Sequence, residues 1–296
     1  MLKFSLPNLP LKGVPGHARS AWQVWNLVKG LNVANLAAAA EMPFHLALVG
    51  TEDHTKLLTA RLALETAEPR DLGPNGPADV SAFVHPYRTP ADVPAGSLML
   101  DAETLTASET GLAANLAGIA AAHPELRVSL ARHVPAFRPA VATLLINDAS
   151  KENAKLAMLS ALPGILPFTD ILLPATALGD MILLTKNQGL LLLSLAAAYG
   201  KEIDLKARTR ELLPVVGSAF GWRVVARQLI GLVPGGIGVV VKGAVAYAGT
   251  YTVGKSASLY YSTGQTLSAS RMQQLYKDAL GQAVARVLPL GKRFKE

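Results

Sequence analysis

The stretch 241-VKGAVAYAGTYTVGKSASLYYSTG-264 decides the fold, because two incompatible structures can be read from it. Gly249, Gly254, Lys255 and Ser256 satisfy G-x-x-x-x-G-K-[ST], the loop whose backbone amides cradle nucleotide phosphates. The same residues also fit a helix. Ala244, Ala248, Thr252 and Ser256 recur every fourth position, a small-residue stripe that runs through the supposed loop and suits close helix packing. Context favours the helix: only 40 residues follow Ser256, too few for the sheet and metal-binding carboxylate of a phosphate-loop enzyme, and no clear strand precedes it.

Around that segment the chain is apolar and basic. Half of the 296 residues are hydrophobic and 17% are charged, a balance too apolar for disorder. Residues 135–296 hold 18 Lys and Arg against 9 Asp and Glu, a net +9, whereas residues 1–134 hold 10 against 12, a net −2. The basic residues border long apolar runs rather than interleaving with exposed aromatics, so an anionic membrane surface, not nucleic acid, is the expected partner. The absence of cysteine excludes disulfides and thiolate chemistry and fits a reducing, cytosolic compartment.

Two apolar runs reach the roughly 20 residues that a bilayer-spanning helix needs. Leu156–Leu178 carries only Asp170, and Gln228–Gly254 carries only Lys242. Pro163, Pro167 and Pro174 interrupt the first and glycines thin the second, so re-entrant hairpins or buried core helices rival the favoured reading of membrane insertion or close association. Residues 136–160 and 179–199 are helix-periodic, the latter ending at Gly200. Asp170 and Asp180 read as helix caps facing water.

Upstream the pattern alternates. Residues 44–50, FHLALVG, read as a strand, followed by the helical TEDHTKLLTARLALE with Asp53 as its expected cap. Further strands are expected at Ala82–Tyr87, Ser97–Leu100 and Leu126–Ala131, with a helix over Ser108–Ala122. Lys3, Lys12, Arg19 and Lys29 precede any acidic residue, and Trp22, Trp25 and Val28 recur at helical spacing, so 18–40 reads as an amphipathic helix. The fold class is therefore α+β: a basic segment over 1–41, a small Rossmann-like α/β layer over 42–134, an apolar helical domain over 135–285 and a basic tail over 286–296.

Candidate chemistry is thin. After the first strand, Gly50 and Lys56 keep phosphate-loop spacing, but Thr55 replaces the second glycine, Leu57 the magnesium-binding hydroxyl, and Asp53 brings negative charge where phosphates would sit. TKNQ at 185–188 has Gln188 where a guanine-reading carboxylate belongs, and reads as a polar patch on a helix. The six histidines lie between 17 and 133 without metal-ligand spacing; His45 and His85 fall on strands and His54 in the degenerate loop. Neither G-x-S-x-G nor S-x-x-K occurs, so no serine-hydrolase signature or other catalytic site is expected.

The ordered series PAFRPAVATLLINDASKENA, SALPGILP, ALGDMILLTKNQ, LAAAYG and VPGGIGVVVKGAVAYAGTYTVGKSASLYYSTG, from 135 to about 264, resembles the YcjF-like, GTPase-associated bacterial domain of unknown function. That resemblance implies membrane association and an Era-like GTPase domain upstream. It makes 42–134 a degenerate G domain in which Gly50 and Lys56 survive as a vestigial phosphate loop. The expected protein is a non-enzymatic binding or scaffolding module on the cytoplasmic side of the membrane, without a cofactor or metal and with a protein partner or a second copy. The alternatives are a divergent GTP-binding protein using Lys56, with GTP as ligand, and a soluble helical oligomer.

Overall fold

The computed structural model of the chain describes residues 33–62, 82–159, 173–203 and 238–293. The expected amphipathic helix before Val33, the Pro- and Gly-rich loop after Leu62, and much of both apolar runs lie outside the described residues. Helix α1, Ala34–Ala40, leads into strand β1, Phe44–Val49, and helix α2, Glu52–Arg61. Strand β2, Ala82–Tyr87, and strand β3, Leu98–Asp101, follow. Three helices come next: α3, Ala102–Thr106, α4, Glu109–Ala122, and α5, Arg127–His133. The long helices are α6, Arg138–Leu159, α7, Leu173–Ala198, α8, Gly238–Thr263, and α9, Ala269–Arg293.

The strands form one parallel sheet in the order β2-β1-β3. Phe44, Leu46 and Leu48 point from β1 into a core shared with Leu58, Leu100, Leu116 and Leu130. Pro86, which has no N–H to give a ladder, sits on the edge strand β2, where the loss is tolerated. The core does not stop at residue 134: Phe137 and Val141, together with Ala198 from the end of α7, belong to the same buried cluster.

Four sequence expectations are corrected here. Leu126–Ala131 is not a strand but lies largely within α5, whose Val128, Ser129, Leu130 and Ala131 are all buried. A seven-residue helix clasped on several sides shows no 3.6 period, and the alternation of Leu126, Val128 and Leu130 misleads. The cap of α2 is Thr51, whose side chain accepts from the His54 N–H; Asp53 sits inside the first turn, where its charge suits the helix dipole, and His54 is helical too. Helix α7 begins at Leu173, with Pro174 tolerated in the first turn, so Asp180 falls inside the helix and not at its start. Among the described residues no helix is long and apolar enough to cross a membrane. Leu156–Leu178 is divided between the end of α6 and the start of α7, and the described part of the second run is the amino-terminal stretch of α8.

The GKS segment is helical throughout, in the middle of α8. The small-residue stripe is buried, and Ala248 packs with Tyr276 and Ala279 of α9. On an adjoining face, a Cβ added at Gly254 would lie 2.7 Å from Ile146 Cγ1 of α6 and 3.2 Å from Leu191 Cδ2 of α7. Glycine is required there to bring three helices together, not to wrap phosphate. Lys255 lies with its Nζ 5.7 Å from the Tyr251 ring centroid, one turn back on the same helix.

Candidate functional site: the sheet edge, its open face and the bundle seam

Ligands of parallel sheets collect at the carboxyl ends of the strands, where order reverses, so the edge formed by Val49, Gly50 and Asp101 is the first place to look. Gly50 adopts φ +152°, a region L side chains avoid, and a Cβ there would stand 3.2 Å from Ala102 Cβ. Its N–H is already bonded to the Tyr87 carbonyl at 3.0 Å. Only Thr51 separates Gly50 from the first residue of α2, so the backbone that would enclose a phosphate is wound into helix. Lys56 points along that helix to Glu52, Nζ to Oε1 2.6 Å, with both side chains more than 70% exposed. Hydrogen bonding to Glu52, and then its charge, raise the Lys56 pKa, and hydrogen bonding to Lys56, and then its charge, lower that of Glu52. Asp101 spends its carboxylate on the Thr104 N–H at the start of α3. Glu52, Asp53, Asp101 and Glu103 thus outnumber Lys56 and Arg88 at this edge, a balance of the sign a triphosphate avoids.

The structure assembles a second cluster that the sequence does not reveal. The face of the sheet opposite the core carries His45, His85 and Tyr87, with Ser97 just ahead of β3. Ser97 Oγ donates to the Pro94 carbonyl at 2.6 Å, so the proton in its 2.7 Å contact with His45 Nδ1 belongs to the imidazole. His45 Nε2 is left to accept from the Tyr87 hydroxyl at 3.3 Å. His85 stacks edge-on against Tyr87, centroids 4.9 Å apart. Burial, and then the charge of His85, push the His45 pKa below the ordinary 6.5, so the neutral tautomer that this chain of bonds needs is the favoured one. Burial raises the Tyr87 pKa. The arrangement orders the sheet face but does not activate Ser97, whose proton is held by a carbonyl. Among the described residues no group of three or more acidic or histidine side chains could hold a metal ion.

A third polar constellation sits where α6, α7 and α8 meet. Asn153, fully buried, donates from Nδ2 to Thr250 Oγ1 at 2.8 Å and accepts at Oδ1 from Asn187 Nδ2 at 3.0 Å. Gln188 Nε2 donates to the same Thr250 oxygen at 3.2 Å. Asn187 and Gln188 of the TKNQ segment are therefore joined to the bundle interior. The only advance signal was the polarity of TKNQ between leucine runs; that Asn153 and Thr250 answer it is a matter of helix register, which no local pattern encodes.

These residues define an α+β protein, mostly helical, with a small three-stranded parallel sheet. No protein-family model, curated protein or solved structure matches the chain.

Proposed function

We propose that this chain is a non-catalytic, membrane-associated bacterial binding or scaffolding module of the YcjF-like kind. Its helical half meets the cytoplasmic face of the membrane and its α/β half, a worn G domain, engages a protein partner or a second copy. The observation that carries the reading is the direction of the helices. Asn153 of α6 meets Asn187 of α7 and Thr250 of α8, while Ile146, two turns earlier on α6, meets the position of Gly254, four residues later on α8. Helix α6 is thus antiparallel to α7 and α8, and the end of α6 and the starts of α7 and α8 share one end of the bundle. The chain leaves the described residues there at Leu159 and returns at Leu173 and Gly238, the points where both apolar runs of the sequence converge.

The degenerate-G-domain part draws support from the strand order, since β2-β1-β3 with all strands parallel opens the doubly wound 2-1-3-4-5 pattern of nucleotide-binding folds. The acidic sheet edge and the Lys56–Glu52 pair favour loss of the nucleotide over its retention. Fractionation of cells producing the full chain tests the membrane part. The protein is expected in the membrane pellet at physiological salt; recovery entirely in the soluble fraction contradicts it.

A further inference from the structure

We draw no further inference here: the strongest candidate, the cluster of His45, His85, Tyr87 and Ser97 on the face of the sheet opposite the core, belongs to the site already described, and nothing among the described residues shows what covers that face.

Discussion

Single residues separate the helical reading of the GKS segment from the phosphate-loop reading. Glycine inside a helix costs about 1 kcal/mol relative to alanine. Gly249, with nothing within 4 Å of its missing Cβ, should therefore gain stability on Gly249→Ala. Gly254→Ala should lose it, because a Cβ 2.7 Å from Ile146 forces an overpacked seam costing about 1–3 kcal/mol. Denaturant melts of the two variants check the opposite signs. His45 makes a second residue-level prediction. Its folded pKa is depressed, so the unfolded chain binds the extra proton more readily, and stability is complete above about 6.5 and falls as pH drops through the folded value. Midpoints measured between pH 7.5 and 5 should decline, and His45→Asn, which keeps a donor near Ser97 but cannot titrate, should flatten that part of the profile. Lys56, already paired with Glu52, offers nothing to GTP: titration with GTP and magnesium should release no heat. Heat that disappears in Lys56→Ala would restore the nucleotide-binding alternative.

Elements with a clear period were legible in the sequence, and those shaped by their surroundings were not. Strands β1 and β2 and helices α4 and α6 fall where the sequence reading put them, and Ser108, whose Oγ accepts from the Gly111 N–H, proves to be the cap of α4. Helix α5 was hidden because its burial on all sides and its two arginines serve other elements. Arg127 donates to the Ala120 carbonyl at 2.7 Å, in the last turn of α4, and Arg132 to the Ala197 and Lys201 carbonyls at 3.4 and 3.1 Å, at the end of α7. Positive charge at helix carboxyl termini is favourable, and here it ties the α/β layer to the bundle. Arg132→Ala, which also loses Glu41 at 2.8 Å, should cost about 1–3 kcal/mol by urea melt, where a solvated surface pair would cost under about 1. The Asn153 network was equally unreadable, since its partners are 34 and 97 residues away. Asn153→Ala takes the acceptor from Asn187 Nδ2 and one of the two donors from Thr250 Oγ1, and should cost about 1–3 kcal/mol, with Thr250→Ala coupling to it in a double-mutant cycle.

At the scale of the whole molecule, one core joins the sheet to the bundle through Phe137, Val141 and Ala198, so residues 42–134 expressed alone lack part of their own interior. The same continuity sets the sheet edge apart from the end of the bundle where α6 stops at Leu159 and α7 and α8 start at Leu173 and Gly238. The charge asymmetry between residues 1–134 and 135–296 forecast that division, but only the antiparallel course of α6 against α7 and α8 brings the apolar runs together. Because the chain contains no cysteine, a single one can report on each end without interference. Leu159→Cys and Leu57→Cys, at positions 49% and 45% exposed, would each carry an environment-sensitive dye and be mixed with anionic vesicles. A blue shift with increased intensity at position 159, and an unchanged spectrum at 57, is the predicted result. No change at 159, or the same change at both, would contradict the account.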